Sequence, residues 1–260
     1  MTADDSGVAR RAIALVDLTD LDDATTPDRV ASLCERAARY RTAAVCVWPD
    51  FVAQCAAALR GTGVAVATVV NFPTGDERPH AVRLITERAL EDGADEIDVV
   101  LPYRPWLAGD EQRAAAVLDG VVGAANAAER PARTKVILET GAMDDDDVRR
   151  AASFAIVHGA DFVKTSTGKT DVSATPGAVR AILEEIRSAG RPVGVKPSGG
   201  IRTLVDARTY LALADDVMGP GWATPATFRF GASGLLDVLV GVIEGRTAAG
   251  VDVSGERTGY

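Results

Sequence analysis

The sequence predicts a closed (β/α)8 barrel, and three observations support this prediction. Eight short apolar segments alternate with helical segments along 260 residues, 47% of them hydrophobic, which is typical of a parallel sheet in one domain. Gly-Ala-Asp occurs at 93–95 and again at 159–161, each time between a predicted helix and a predicted strand. No dinucleotide-binding glycine motif follows the first strand, which disfavours an open doubly wound sheet. We therefore expect one barrel domain over residues 1–260.

The first half of the chain contains four of the predicted strands. A short helix at 8–12 precedes the first strand, and Thr26 with Pro27 forms the N-cap and first turn of the next helix. Apolar runs bounded by turn residues place the four strands at 14–19, 43–48, 64–72 and 96–101. The helices that connect them are expected at 26–40, 49–60 and 77–92.

The second half continues the alternation after an insert at 102–108. Thr175 with Pro176 and Thr203 are expected to begin the helices that follow strands six and seven. The strands are predicted at 135–140, within 161–169, at 193–198 and at 228–233, and the other helices at 109–130, 144–158 and 234–245. Residues 246–260 are polar and contain glycine, so we expect a mobile tail.

Composition excludes several classes of function. The net charge of −9 argues against nonspecific nucleic-acid binding, which requires a basic surface. No apolar run approaches the roughly 20 residues of a membrane span, and the acidic start is unlike a signal peptide. Cys34, Cys46 and Cys55 have no spacing that suggests disulfides or a metal site. We expect a cytoplasmic protein that binds neither membranes nor nucleic acids, either as a monomer or as a homo-oligomer.

Two lysines in the middle of strands are the strongest functional signal. Lys164 lies in the sixth strand and Lys196 in the seventh, where a buried ammonium is costly unless it is paired or neutral. Two such lysines are expected to lower each other's pKa, and a neutral amine is a nucleophile toward carbonyls. Each lysine is therefore a candidate nucleophile or an internal ion-pair partner.

The alternation of side chains along the strands predicts a polar barrel interior. One face of the strands is apolar, whereas the opposite face carries Asp17, Thr19, Cys46, Asn71, Asp98, Glu139, Lys164, Ser166, Lys196 and Ser198. Chemistry in such barrels occurs at the carboxyl ends of the strands, so the interior is expected to be an active site. Asp98 is then a general acid/base or a counter-ion of the lysines. Thr165, Ser166 and Thr167 either bind substrate or only close the turn, and Arg229 is expected to be structural.

Glycine turns follow the last three strands and predict a phosphate site. Glycine lets backbone N–H groups approach an anion, and loops seven and eight commonly bind phosphate in barrels of this type. Lys169 and Arg202 add positive charge next to the turns. The residues concerned are Gly168, Lys169, Gly199, Gly200, Arg202, Gly231 and Ser233.

These motifs together resemble the deoxyribose-phosphate aldolase family over nearly the whole chain. The most specific are Val163-Lys164-Thr165-Ser166-Thr167-Gly168-Lys169 and Lys196-Pro197-Ser198-Gly199-Gly200-Ile201-Arg202, together with Glu96-Ile97-Asp98-Val99-Val100. The resemblance implies reversible cleavage of 2-deoxy-D-ribose 5-phosphate to acetaldehyde and D-glyceraldehyde 3-phosphate, without metal or organic cofactor. Its partners would be small phosphorylated sugars and aldehydes.

The resemblance also implies roles for individual residues. Lys164 matches the Schiff-base lysine, Asp98 and Lys196 match the proton-relay pair, and Tyr260 matches a C-terminal tyrosine that carries a proton. Asp17, Thr19, Cys46 and Thr165 are expected to contact substrate with the phosphate turns. The alternatives are another Schiff-base phosphosugar aldolase, or a phosphosugar-binding barrel without catalysis.

Overall fold

The computed structural model describes residues 3–246 of the chain, which contain eight β-strands. The strands are β1 (Val16–Asp20), β2 (Ala44–Val47), β3 (Ala65–Val70), β4 (Glu96–Val100), β5 (Arg133–Ile137), β6 (Phe162–Lys164), β7 (Gly194–Lys196) and β8 (Phe230–Ala232). Every adjacent pair is parallel, and their order is β7-β6-β5-β4-β3-β2-β1-β8.

The sheet closes into a barrel between β7 and β8, the two ends of that order. Parallel bridges join Val195 to Phe228 and Ser198 to Gly231. The Gly231 N–H donates to the Pro197 carbonyl at 2.9 Å and the Arg229 N–H to the Val195 carbonyl at 3.0 Å. The predicted (β/α)8 barrel is therefore confirmed.

The helices surround the barrel and cover the apolar outer face of its strands. They are α1 (Ala3–Ile13), α2 (Pro27–Tyr40), α3 (Val52–Ala58), α4 (Pro79–Glu91), α5 (Tyr103–Leu107), α6 (Glu111–Ala127), α7 (Asp145–Val157), α8 (Pro176–Ser188), α9 (Leu204–Met218) and α10 (Leu235–Ile243). The hydroxyls of Thr26, Thr175 and Thr203 accept hydrogen bonds from the backbone of the first helical turn, as their N-cap positions predict.

Three segments differ from the sequence-based prediction. Helix α1 begins at Ala3 rather than at residue 8, because Asp4 and Asp5 pair with Arg208 of α9 and fix its first turn. The predicted insert contains the short helix α5. The segment predicted as one helix at 49–60 is a 3-10 turn followed by α3, which ends at Ala58.

Some predictions concern residues that the structure does not describe. Residues 247–260, and with them nearly all of the predicted mobile tail and Tyr260, lie outside the described part of the chain. Within residues 3–246, no helix has the length and apolar character that crossing a membrane requires.

Candidate active site

The inner wall of the barrel is divided into two chemically different parts. What we call the charged wall consists of seven ionisable side chains that are each at most 2% exposed and are joined by ion pairs into one network: Asp17, Glu96, Asp98, Lys135, Lys164, Lys196 and Arg229. The apolar wall consists of Ala44 and Cys46 on β2 and Ala67 and Val69 on β3, and these four form, together with Leu21, a cluster separate from the core beneath the helices. Strand alternation explains both sets, since every second residue faces inward.

Asp98 lies at the centre of the charged wall and contacts three lysines. Its Oδ2 atom accepts hydrogen bonds from Lys164 Nζ and Lys196 Nζ, both at 2.8 Å, while Lys135 Nζ donates to Oδ1 at 2.7 Å. Burial by itself raises the pKa of Asp98, but the three ammonium groups hold that pKa well below its usual range. Asp98 is therefore a carboxylate at neutral pH.

Asp17, Glu96 and Arg229 continue the ion-pair network away from Lys164. Arg229 lies 2.6 Å from Asp17 Oδ1 and 2.7 Å from Glu96 Oε1, and Lys196 Nζ lies 2.6 Å from Asp17 Oδ2. The structural role predicted for Arg229 agrees with these contacts. Asp17 is fully buried among cations and does not line the cavity described below, so its predicted contact with substrate has no support in this geometry.

The two candidate lysines have opposite pKa shifts. Burial lowers the pKa of Lys164, and the charge of Lys196 lowers it further, although Asp98 acts in the other direction. Burial also disfavours the charged form of Lys196, but Asp17 and Asp98 together raise its pKa above the ordinary value. The predicted lowering by the neighbouring lysine is confirmed for Lys164, whereas the pKa of Lys196 is raised on balance, because Lys196 contacts two carboxylates where Lys164 contacts one.

A cavity of about 760 Å³ lies at the carboxyl ends of β1, β6, β7 and β8. The structure brings eight of the predicted binding residues together in its lining: Thr19, Gly168, Lys169, Gly199, Gly200, Arg202, Gly231 and Ser233. The turns adopt left-handed backbone conformations at Gly168, Gly199 and Gly200, with φ of 77°, 84° and 77°, which favour glycine. This arrangement brings three glycine turns to one cavity, together with the cationic side chains of Arg29, Arg36, Lys169 and Arg202.

The cavity and the charged wall adjoin each other at Gly231. A Cβ atom at this position would lie 2.4 Å from Ser198 Oγ and 3.1 Å from Lys196 Cε, so only glycine fits. Gly231 and Ser198 both line the cavity, and Lys196 belongs to the charged wall. Lys196 of the charged wall therefore adjoins the cavity, and Lys164 lies beside it, because both lysines contact the same oxygen of Asp98.

Two predicted binding residues besides Asp17 lie outside the cavity lining. The Thr165 hydroxyl donates to the Ser198 carbonyl at 3.2 Å and accepts from the Ser198 N–H at 3.0 Å, so it joins two strand ends. Cys46 lies in the apolar wall, close enough to Lys164 and Lys196 for their charges to act on it. Burial nevertheless raises the pKa of its thiol. Contact of either residue with substrate stays a prediction.

Several residues of the site were missed by sequence reasoning. Lys135 and Glu96 belong to the charged wall, and strand alternation could have identified them, because they share faces with Glu139 and Asp98 respectively. Ser32 and Arg36 of α2 also line the cavity. They lie beyond the first turn of the helix that follows β1, and no local motif marks them as part of a site.

Comparison with known proteins identifies relatives over most of the chain. Residues 5–248 match the model of the DeoC/LacD family of aldolases. A deoxyribose-phosphate aldolase of Agrobacterium fabrum is 49% identical over 241 residues, which cover 91% of this chain and 92% of that protein.

Solved structures give the same result at lower identity. A candidate deoxyribose-phosphate aldolase of Toxoplasma gondii ME49 has a TM-score of 0.84 at 29% identity, covering 95% of this chain and 100% of that one. The deoxyribose phosphate aldolase of Aeropyrum pernix, described as a tetramer, has a TM-score of 0.76 at 26% identity, covering 93% and 98%. The family predicted from the sequence motifs is thereby confirmed.

Proposed function

Because the chain belongs to the DeoC/LacD family of aldolases, we propose that it cleaves 2-deoxy-D-ribose 5-phosphate reversibly through a Schiff base on Lys164. The products are acetaldehyde and D-glyceraldehyde 3-phosphate. The observation that carries this proposal is the environment of Lys164: a buried amine with a lowered pKa and one carboxylate contact, which it shares with Lys196 next to a cavity lined by glycine turns. A phosphosugar-binding barrel without catalysis would have no use for such an amine.

The neutral Lys164 amine attacks the aldehyde carbon C1 of the open-chain sugar. Loss of water from the carbinolamine gives an iminium ion, which accepts the electron pair when the C2–C3 bond breaks and the C3 hydroxyl loses its proton. Glyceraldehyde 3-phosphate leaves, and the remaining enamine is protonated at C2 and hydrolysed to acetaldehyde. The iminium lowers the barrier because it acts as an electron sink.

Asp98 and Lys196 are the proposed proton carriers for these steps. Asp98 Oδ2 accepts hydrogen bonds from both lysines at 2.8 Å, so a proton released at Lys164 has an adjacent route to this pair. At neutral pH Lys196 is protonated, because its pKa is raised, and Asp98 is ionised, because its pKa is lowered, so Lys196 holds a proton to donate and Asp98 has an oxygen that can accept one. A water molecule completes the route to the substrate oxygen.

The phosphate of the sugar is proposed to bind at the glycine turns. Gly200→Glu adds a negative charge in this part of the cavity and should raise KM for the phosphorylated sugar. Gly200→Ala is the matched control, since it has the same backbone strain at φ 77° without the charge. Equal losses in the two variants would mean that backbone strain, rather than an anion site, explains the effect.

Tyr260 is proposed to protonate the enamine carbon, as the family resemblance implies. Tyr260→Phe should slow exchange of the acetaldehyde methyl protons with deuterated solvent by ~10²-fold, while Schiff-base formation persists. Fast exchange in this variant would exclude the role.

That the chain forms a homo-oligomer, one of the two expectations from the sequence, stays a prediction.

Reductive trapping tests the proposed function directly. Borohydride added with deoxyribose 5-phosphate should fix one adduct on Lys164, and acetaldehyde should appear when borohydride is left out. Lys164→Met removes the amine at nearly constant side-chain length and should lose both adduct and activity. An adduct on Lys196, or trapping without any acetaldehyde release, would contradict the proposal.

A further inference from the structure

Lys135 is a fully buried ammonium group that the proposed mechanism leaves without a role. It lies on β5, and its Nζ atom is 2.7 Å from Asp98 Oδ1, 2.6 Å from Glu96 Oε2 and 3.5 Å from Asp17 Oδ2. It thus contacts all three carboxylates of the charged wall. Those contacts keep Lys135 itself charged, since its pKa is raised despite complete burial.

The charged wall has one more cation than it has carboxylates. Four cationic side chains, Lys135, Lys164, Lys196 and Arg229, share Asp17, Glu96 and Asp98. An uncompensated charge inside a closed barrel is costly, so one of the four is expected to lose its proton most easily. Lys164 has the fewest carboxylate contacts of the four, because it contacts Asp98 alone.

Lys135 determines how much of Asp98 remains available to Lys164. It occupies Oδ1, so Lys164 must share the single oxygen Oδ2 with Lys196. Without Lys135, the charged wall would contain three cations and three carboxylates. Asp98 would then hold Lys164 as an ammonium ion, which cannot attack a carbonyl.

We propose that Lys135 is a positioning residue that keeps Lys164 in its neutral, nucleophilic form, by occupying Asp98 Oδ1 and supplying the excess positive charge of the barrel interior. This inference rests on the proposed role of Lys164 as the Schiff-base lysine. Lys135 acts through Asp98 and need not touch the substrate. Glu96 acts in the opposite sense, since it supplies one of the three negative charges.

The groups that face Lys164 from the other strands are consistent with this assignment. β3 contributes only the apolar Ala67 and Val69, and the raised pKa of Cys46 keeps its thiol neutral. Glu139, at the cavity end of β5, is a further buried carboxylate, but its oxygens accept hydrogen bonds from the hydroxyls of Thr167 and Thr170, and no ion pair among the described residues joins it to the charged wall. The other charged groups are the remaining members of the charged wall and Arg133, which lies 3.3 Å from Glu96 Oε1 but is half exposed to water.

The alternative is that Lys135 only holds three strands together. A structural role predicts lower stability in a variant but no change in the pH at which Lys164 loses its proton. A role in charge balance predicts that removal of Lys135 and removal of Glu96 shift this pH in opposite directions. The two roles therefore differ in the sign of a pH shift.

The experiment compares Lys135→Met, Glu96→Gln and the double variant with the wild-type chain. Acetaldehyde and cyanoborohydride are added at a series of pH values, and the rate of labelling of the Lys164 peptide is measured by mass spectrometry. We expect the midpoint of the pH profile to rise by about one unit in Lys135→Met and to fall by about one unit in Glu96→Gln. The double variant restores the excess of one positive charge and should return the midpoint close to the wild-type value.

Each outcome bears on one of the two proposals. Midpoints that stay at the wild-type value, or that move in the same direction in both single variants, overturn the role of Lys135. If Lys135→Met fails to fold, an unchanged or raised midpoint in Glu96→Gln is sufficient to overturn the role of Lys135. A wild-type chain that gives no adduct on Lys164 contradicts the proposed function instead, because the pH comparison presupposes that adduct.

Discussion

The charged wall and the apolar wall of the barrel face each other across the same interior and differ in what they contribute. The charged wall holds seven ionisable side chains with almost no exposure to water, while the apolar wall holds four small or medium hydrophobic residues. Buried charges are tolerated here because each has a partner in one connected network. The apolar wall has no such network and contributes packing alone.

The position of Lys164 relative to the two walls explains its chemistry. β6 and β2 are four strands apart in either direction around the closed sheet, so Lys164 lies opposite Cys46. Lys164 therefore has carboxylate contacts on one side and an apolar surface on the other. An ammonium group that faces an apolar surface and has few carboxylate partners is poorly stabilised, so the pKa of the lysine falls.

The largest expected effect comes from a pair of variants at the border of the two walls. Asp98 on β4 and Val69 on β3 are neighbours in the sheet register. Asp98→Asn leaves three buried ammonium groups without their shared carboxylate, so we expect kcat to fall ~10²-fold or more and stability to fall by about 3–5 kcal/mol. Val69→Ala should cost about 2 kcal/mol of stability and leave kcat close to wild type. The measurements are steady-state kinetics and urea unfolding.

Comparable kcat values in the two variants would contradict the division of labour between the walls. Lys196→Ala provides a second test within the charged wall and should also lower kcat ~10²-fold or more. If a variant of Asp98 or Lys196 changes KM but not kcat, that residue does not carry a proton in the reaction and serves only as a counter-ion.

Much of this comparison could be predicted from the sequence. Alternation along the strands identified Asp98, Lys164 and Lys196 as inward residues, and the glycine turns identified the side of the cavity formed by the loops after β6, β7 and β8, because both patterns are local. The sequence does not predict which of these inward side chains form ion pairs with each other, because that depends on how far each strand is displaced along the barrel axis. Asp17 and Lys135 show this limit. Their depth in the barrel, rather than their residue type, places Asp17 next to Lys196 and Lys135 next to Asp98.

A smaller effect, but one with a definite sign, is the contribution of the two lysines to the pH dependence of the free energy of unfolding. The pKa of Lys164 is lowered in the folded chain, so the unfolded chain binds more protons between that pKa and about 10.4, and stability rises with pH in this window. Below this window, the protonated Lys164 destabilises the folded chain. Lys164→Met removes that destabilisation, so the variant should be more stable than the wild type at low pH, and the difference should shrink as pH rises through the window. Urea unfolding at pH 6 and pH 9 measures the difference.

Lys196→Met is the matched control with the opposite sign. The pKa of Lys196 is raised, so its contribution to stability is fully present below about 10.4 and is lost only as pH rises through the folded-state pKa. This variant should therefore be destabilised equally at pH 6 and pH 9. A loss of stability in Lys164→Met that does not change with pH would mean that Lys164 is an ordinary ion-pair partner.

The smallest effect is expected at Cys46, which belongs to the apolar wall but lies close to both lysines. Because burial raises the pKa of its thiol, Cys46 is uncharged at neutral pH, and its effect on the pKa of Lys164, which it raises, is smaller than the effects of burial, Asp98 and Lys196. Cys46→Ala should therefore keep kcat within about twofold and leave the pH profile of Lys164 labelling unchanged. A shift of that profile would assign Cys46 to the charge network rather than to packing.

The same variant separates proximity from thiol reactivity. Self-condensation of acetaldehyde on Lys164 gives an unsaturated aldehyde, which adds to a nearby thiol, and Cys46 is the cysteine close to Lys164. Cys34 is the better nucleophile by ionisation, because a hydrogen bond from Cys55 lowers its pKa, but it lies on α2 outside the barrel. If proximity decides, prolonged exposure to acetaldehyde inactivates the wild type but not Cys46→Ala, and peptide mapping finds the adduct on Cys46. Modification of Cys34 or Cys55 alone would show that ionisation outweighs position, and that the aldehyde does not reach the apolar wall.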